Sequence, residues 1–258
     1  MWAKSNEGQQ IYGLIGYPLG HSFSKDYFNK KFSLLRLNAI YENFELSSVR
    51  SFPELIQRFP NLCGLNVTLP YKEAIIPYLD ALSPEAKAIQ AVNVIRFTSQ
   101  GLIGYNSDYY GFMTSLRPLV RPFDLRAVIL GTGGAARAVA YALSLLGISV
   151  QFVSRTKRMG VITYEELADM KLLATTSLVI NCTPFGMHPH TTTFPPLPYR
   201  EISSYHLLYD LIYNPEETLF LSRGKEQGAM TKNGLEMLHL QAEKSWDIWQ
   251  EPFDTSSF

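Results

Sequence analysis

Residues 126–156, RAVILGTGGAARAVAYALSLLGISVQFVSRT, read as strand, glycine turn, helix and second strand. Ala127–Leu130 is a short apolar run of the kind buried on both faces of a parallel sheet, and Gly131, Gly133 and Gly134 follow at once. Apolar residues at helical spacing then run from Ala135 to Leu146. Gly147 suits the position just past a helix end, and Ile148–Val153 alternates like a second strand. This is the pattern of the first βαβ unit of a dinucleotide fold. A pyrophosphate must reach bare backbone N–H groups at a helix N-terminus, where aligned peptide dipoles favour negative charge, and a Cβ there would hold it off. The glycine pattern alone is weak evidence; its place between a strand and a helix, with a second strand on schedule, makes it specific.

The end of the second strand separates the two common dinucleotides. An NAD site places Asp or Glu about twenty residues beyond the turn, to accept from the ribose hydroxyls, and that carboxylate would repel a 2′-phosphate. Here the strand ends in Ser154, Arg155 and Thr156, with Lys157 and Arg158 next. A guanidinium flanked by hydroxyls is phosphate chemistry, so NADP is the expected cofactor.

The length of 258 residues is enough for two domains, and 46% hydrophobic with 18% charged residues describes a soluble globular chain. Lys plus Arg and Asp plus Glu each number 23, so no global field draws the protein to nucleic acid or to an anionic membrane. The first ten residues lack the apolar core of a secretion signal and no run of 18 apolar residues occurs, which makes the cytoplasm the expected location. Cys63 and Cys182 sit in apolar strand-like runs, as reduced and buried thiols would. His21, His188, His190, His206 and His239 are scattered without a zinc-type repeat; they are expected to cap or to face solvent, and no metal is expected.

Earlier in the chain, Ile11–Ile15 reads as a strand that ends in Gly16-Tyr-Pro-Leu-Gly20, followed by His21-Ser22-Phe23-Ser24. Phe28, Phe32 and Leu35 then recur at helical spacing, which places Ser24 where an N-cap belongs. Two serine hydroxyls at a helix N-terminus form either a cap and a turn or a carboxylate site. The spacing predicts a strand over 40–46 and a helix over 51–59, opened by the capping pattern of Ser51 and Glu54. The run 62–72, LCGLNVTLPYK, is a buried strand that delivers Asn66, Thr68 and Lys72 to the carboxyl end of a sheet, where open α/β sheets bind ligands. Ser83-Pro84 starts a helix, and 92–97 with 102–105 forms a hairpin-like pair carrying Asn93 and followed by Asn106-Ser107-Asp108.

Taken in order, these segments resemble the shikimate dehydrogenase family. They are GYPLGHSFS at 16–24, NVTLPYK at 66–72, AVNV at 91–94, GYNSD at 104–108, GTGGAA at 131–136, SRT at 154–156 and NGLEML from Asn233, with Gln241 beyond. The likeness spans Tyr12 to Trp249. It implies reversible NADPH-dependent reduction of 3-dehydroshikimate to shikimate, a step toward chorismate and the aromatic amino acids. The implied fold is α/β in two domains. Residues 1–110 plus 234–258 form a mostly parallel α/β substrate domain, to which the C-terminal helix returns, and 111–233 form a Rossmann-like NADP-binding domain. Lys72 and Asp108 match the catalytic pair. Ser22, Ser24, Asn66, Thr68, Asn93, Tyr213 and Gln241 match substrate-holding positions. Gly131, Gly133, Gly134, Ala135, Ser154, Arg155 and Thr156 match the cofactor loop, and Leu211 and Gly234 the positions lining the nicotinamide. The partners implied are small molecules only, with the chain a monomer or homodimer.

These residue types suit the chemistry. Reduction of a ketone needs a proton donor beside the developing alkoxide, and an ammonium oriented by a carboxylate can supply it. A pocket of Ser, Thr, Asn and Gln reads hydroxyl positions, because a ligand lacking them leaves polar groups unpaired. Two other readings remain: a dehydrogenase acting on quinate as well as shikimate, with NAD or NADP, and a dinucleotide sensor that has lost the chemistry. Retention of Lys72 and Asp108 argues against the sensor, and Arg155 against NAD.

Beside milder changes at Ser107, Thr132 and Ser154, the chain departs from the family pattern in two places. Phe23 and Lys25 stand where Lys and Pro are commoner, and Lys25 could either assist a carboxylate or face water. Between Thr156 and Leu178, where relatives carry helix, strand and helix, Val161-Ile162 follows the cofactor loop almost directly. The usual crossover helix cannot fit, so a trimmed nucleotide domain is expected.

Overall fold

The computed structural model describes residues 8–20 and 22–251. His21 of the amino-terminal motif and the first seven residues, read above for a secretion signal, lie outside the described residues. The chain divides into two compact units. One takes in the described residues up to Ser107 together with those from Ala242 onward, and the other is Asp108–Gln241.

The first unit carries strands β1 (Gln10–Gly16), β2 (Ala39–Glu45), β3 (Leu62–Val67), β4 (Ala81–Leu82), β5 (Val94–Thr98) and β6 (Gly101–Tyr105). Its helices are α1 (Phe23–Leu34), α2 (Phe52–Arg58), α3 (Tyr71–Ala74) and α4 (Pro84–Ile89). The sheet order is β2-β1-β3-β5-β6-β4. β2, β1 and β3 run parallel, whereas β5 and β6 pair antiparallel as the hairpin that the sequence predicts. Ser83 caps α4 by accepting from the Ala86 N–H, with Pro84 in the first turn.

Two expected caps move. α1 begins earlier than its apolar spacing suggests, so Ser22 rather than Ser24 is its N-cap, accepting from the Lys25 N–H at 3.4 Å. Ser51 makes no side-chain cap for α2, because a short 3-10 turn over Val49–Ser51 precedes that helix and is itself capped by Ser48. The wall of one core is aromatic. Tyr12, Phe28, Phe32, Tyr41 and Trp249 are buried together, with Phe28 stacked on Tyr41 at 4.9 Å between ring centroids. Each such ring contributes roughly 1.5–3 kcal/mol by burial.

The second unit carries β7 (Arg126–Leu130), β8 (Ser149–Ser154), β9 (Val161–Thr163), β10 (Leu178–Asn181), β11 (Leu207–Asp210) and β12 (Met230–Lys232). Its helices are α5 (Asp108–Leu116), α6 (Gly134–Leu145), α7 (Tyr164–Asp169), α8 (Leu219–Glu226) and the start of α9 (Leu235–Gln250), whose remainder belongs to the first unit. All pairings in this sheet are parallel, in the order β12-β11-β10-β7-β8-β9. Strand order therefore reverses between β7 and β10. The crevice beyond their carboxyl ends is where a doubly wound sheet takes its ligand.

The trimmed segment keeps its edge strand and loses its helix. β8 and β9 pair parallel across only six intervening residues, with Ser154 opposite Thr163 and Phe152 opposite Val161. A crossover between full-length parallel strands needs more chain. Here β9 spans three residues and starts opposite Phe152, so the connection need travel back only two residue positions. Arg158 and Val161 bridge antiparallel within the loop, and the Gln151 side chain donates to Gly160 O at 3.2 Å. Thr163 then opens α7 through a capping box with Glu166.

The glycine in the middle of β3 tests this packing. A Cβ at Gly64 would come within 2.3 Å of the Trp249 indole nitrogen, which donates to Ile95 O at 3.1 Å. Gly64→Ala should cost about 1–3 kcal/mol and lower the thermal midpoint by several degrees, whereas Gly20→Ala, with open space around its Cβ, should not. Differential scanning calorimetry of both variants checks this.

Candidate active site

In the first unit the two amino-terminal motifs converge at the carboxyl end of the sheet. Gly16 closes β1, and a Cβ there would strike the Thr68 methyl at 2.5 Å, so the bare backbone is what lets Thr68 approach. Tyr17 N–H donates to Leu69 O, and Thr68 N–H to Ile15 O. Lys72 lies in the short α3, half-buried, and its main chain is fixed from both sides. Its carbonyl accepts from the Val92 N–H at 2.7 Å, and the hydroxyl of neighbouring Tyr71 donates to Leu46 O.

A buried hydrogen-bond network joins the asparagines to the serines. The Tyr41 hydroxyl donates to Asn66 Oδ1 at 2.8 Å and also meets Ser24. Asn66 Nδ2 donates to Asn93 O at 3.2 Å and to Ser245 Oγ at 3.0 Å, so both amide hydrogens of Asn66 are engaged inside the unit. Asn93 Nδ2 donates to Ser107 Oγ at 3.0 Å, and Asn93 Oδ1 accepts from the Ser107 N–H at 2.6 Å. Ser24, Asn66 and Asn93 are thereby held together. Tyr41 and Ser245, both buried, are members that the sequence reading missed.

The departures from the family pattern find partners. Lys25 Nζ pairs with Glu42 at 2.7 Å, which neutralises the extra cation beside Ser22 and Ser24. Phe23 stacks on Tyr27, ring centroids 5.2 Å apart.

In the second unit Gly131 leaves β7 with φ +108°, a backbone region that suits glycine, and its N–H donates to Val153 O at 2.8 Å. Gly133 is the N-cap of α6, exposed, with no side chain capping the helix, and a Cβ placed on it meets nothing within 4 Å. Uncapped N–H groups facing open space fit a pyrophosphate. Gly134 is buried and Ala135 half-buried in the first turn of α6. Ser154, Arg155 and Thr156 fall in and just after the last residue of β8, with Arg155 and Thr156 exposed. Lys157 is occupied by an ion pair with Glu166.

Leu211, Tyr213 and Gly234 gather on the β11 side. A Cβ at Gly234 would lie 2.1 Å from Leu211 O, and Gly234 N–H donates to Ile212 O at 3.0 Å. Only glycine permits that approach. Burial raises the pKa of the exposed-edge Tyr213 hydroxyl, which stays neutral at physiological pH. Asp108 is buried at the first turn of α5, and Gln241 Nε2 donates to Leu238 O within α9.

The reading of the cysteines and histidines needs correction. Cys63 and Cys182 are free and each is half-buried as a residue, although the Cys182 thiol itself is buried. Burial of the Cys182 thiol, with the carboxylates of Asp210 and Asp108 nearby, raises its pKa and leaves it a poor nucleophile. His206 is buried, accepting from the Ser203 N–H, because it anchors a turn. Among the described residues no group of three or more His, Cys, Asp or Glu could hold a metal ion, and no helix is long and apolar enough to cross a membrane.

Asp210 went unnoticed in the sequence. It ends β11 fully buried, and burial pushes its carboxyl from 3.8 to about 7, against the pull of donors on Thr218, Ile212 and Asn181. The titratable groups facing it are the Cys182 thiol and the Tyr199 hydroxyl. A carboxyl whose native value is raised stabilises the fold fully below the unfolded value, and that contribution is lost as pH rises through the native value. From pH 4 to 7.5 the loss is on the order of 3–4 kcal/mol. Asp210→Asn should flatten this part of the stability profile, measured by thermal denaturation across the range; an unchanged slope would contradict the assignment.

With the geometry in place, comparison with known proteins is informative. A family model described as the shikimate dehydrogenase substrate binding domain matches residues 14–95. The shikimate dehydrogenase (NADP(+)) of Carboxydothermus hydrogenoformans is 40% identical over 260 residues, covering 95% of this chain and 92% of its own. The crystal structure of shikimate dehydrogenase from Aquifex aeolicus superposes with a TM-score of 0.83 at 34% identity, over 95% of this chain and 94% of that one. The Thermus thermophilus enzyme, solved in complex with NADP(H) and shikimate, gives 0.81 at 30% identity over 94% of each chain. The chain belongs to the shikimate dehydrogenase family.

Proposed function

We propose that Lys72 and Asp108 are the catalytic pair with which this chain, as an NADP-dependent shikimate dehydrogenase, interconverts 3-dehydroshikimate and shikimate. The observation that carries the reading is that each unit holds its own matched set of residues. A buried Asn-Ser-Tyr network lies beside Thr68 in one unit, and an uncapped glycine turn with a guanidinium at the next strand end lies in the other.

Bound NADPH supplies the hydride. The chain's own residues do the rest. Lys72 donates the proton to the alkoxide oxygen in reduction and takes it back in oxidation, while Asp108 orients the ammonium and favours its charged form. Ser22 and Ser24, at the first turn of α1, receive the ring carboxylate through hydroxyls and helix N–H groups. Lys25 is spent on Glu42, so this recognition is neutral hydrogen bonding rather than an ion pair with that lysine. Thr68, Asn93, Tyr213 and Gln241 read the ring hydroxyls, with Asn66 fixing Asn93 through its carbonyl. Gly131, Gly133, Gly134 and Ala135 hold the pyrophosphate, and Ser154, Arg155 and Thr156 hold the 2′-phosphate. Leu211 and Gly234 flank the nicotinamide. The partners are these two small molecules, the setting is the cytoplasm, and the chain acts as a monomer or homodimer.

Purified protein should oxidise shikimate with NADP faster than with NAD, and faster than it oxidises quinate, when nicotinamide absorbance is followed. Equal or better turnover of quinate would replace the substrate assignment. Lys72→Ala should lower kcat by roughly two to four orders of magnitude. NADP binding, read by calorimetry, should persist in that variant, and undiminished turnover would remove the lysine from the mechanism.

A further inference from the structure

Asp210 is a fully buried carboxyl of the second unit that lies outside the residues matched to the family motifs and holds three hydrogen-bond donors. Its Oδ2 accepts from the Thr218 hydroxyl at 2.6 Å; its Oδ1 accepts from Asn181 Nδ2 at 3.0 Å and from the Ile212 N–H at 3.1 Å. No cation is among these partners. Taking a carboxylate out of water without an ion partner is costly, and surface residues could have capped α8 or closed this turn as well.

Its neighbours show what the carboxylate holds. Asn181, at the end of β10, turns its Oδ1 to the Thr183 N–H at 3.0 Å and the Thr183 hydroxyl at 2.6 Å. The Cys182–Thr183 segment lies directly against the start of the glycine turn: a Cβ on Gly131 would meet Cys182 O at 3.2 Å and the Thr183 methyl at 3.4 Å. Cys182 N–H donates to Leu130 O at 2.9 Å. Farther along, the Thr218 side chain faces Gly186 at 3.2 Å from its would-be Cβ. On the other side Ile212, whose N–H the carboxylate holds, accepts from Gly234, and Leu211 N–H donates to Asn181 O at 3.0 Å.

One carboxylate therefore ties the segment after β10, the segment after β11 and the cap of α8. With the pyrophosphate at the β7 turn and the 2′-phosphate at the end of β8, the other half of the dinucleotide must run over β10 and β11, on the far side of the strand-order reversal. We propose that Asp210 is a positioning residue for the nicotinamide half of the cofactor, setting the Cys182–Gly186 and Leu211–Tyr213 segments at the height the ring requires without touching it. This rests on the reading that the Gly131–Ala135 turn holds NADP.

The test separates the two halves of the cofactor. Asp210→Ala should weaken NADP binding and raise its KM about ten- to a hundredfold. Affinity for adenosine 2′,5′-bisphosphate, which lacks the nicotinamide half, should stay at the wild-type value. Asp210→Asn keeps the shape and can accept from Asn181 and Ile212 while donating to the Thr218 hydroxyl, and should restore NADP binding to within about threefold of wild type. If Asp210→Ala does not fold, Thr218→Val gives the same contrast at smaller amplitude. Equal loss of NADP and adenosine 2′,5′-bisphosphate binding, or loss of thermal stability with unchanged NADP affinity, would overturn the positioning role. Gly133→Val, measured in parallel, distinguishes the two levels. If it abolishes NADP binding while Asp210→Ala leaves it intact, only the positioning role fails. If Gly133→Val binds NADP normally, the cofactor-site reading fails and takes the positioning role with it.

Discussion

The second unit depends on the divergence of two parallel neighbours, β7 and β10, at their carboxyl ends. Within the sheet they are hydrogen-bonded in register, Leu130 opposite Asn181. One residue later the chains leave in opposite senses, one toward α6 and the other into the loop that leads to β11. N–H groups at the start of α6 are then without backbone partners in the helix. An anion is the cheapest way to satisfy such groups, and bare glycines are the cheapest way to let it come close. The exposed Gly133, the positive φ of Gly131 and the absence of a side-chain cap on α6 follow from that one requirement.

Polar chemistry in the first unit is solved differently. The asparagines beside Thr68 are buried, and a buried amide with an unmet hydrogen costs about 1–3 kcal/mol. Tyr41, Ser245 and Ser107 meet that demand, which fixes the orientation of Asn93 more tightly than a solvated side chain could be fixed. On the substrate-site reading proposed above, selectivity by hydroxyl pattern would draw on this rigidity, because a mobile amide would re-pair with a wrong ligand.

What the sequence showed and what it hid follow the range of the interactions. The β7–α6–β8 unit was legible because strand, turn and helix lie within 31 residues and each leaves a local signature. The cap on α4 was legible for the same reason, Ser83 and Pro84 being adjacent. Ser24 and Ser51 misled because several hydroxyls stand near each helix start, and backbone dihedrals, not composition, decide which one caps. Asp210 gave no local signal at all. It binds Asn181 across 29 positions, and Asn66 binds Ser245 across 179, distances over which neither periodicity nor motif carries information. The shortness of the segment after Thr156 was visible, yet the parallel pairing of β9 was not. Val161, Ile162 and Thr163 are β-branched and suit a strand, but only the register, beginning opposite Phe152, makes so brief a parallel connection feasible.

The indole of Trp249 fills the space left bare by Gly64, and that contact joins β3 to the last helix. Its consequence is temporal. As the polypeptide leaves the ribosome, the amino-terminal sheet emerges first together with the α1 rings Phe28 and Phe32, but Trp249 cannot join them until the final helix has been made. The intervening dinucleotide unit closes from residues contiguous in sequence and can complete its own core sooner. The part of the molecule synthesised first is thus the last to be finished, its aromatic cluster waiting on the Trp249 indole.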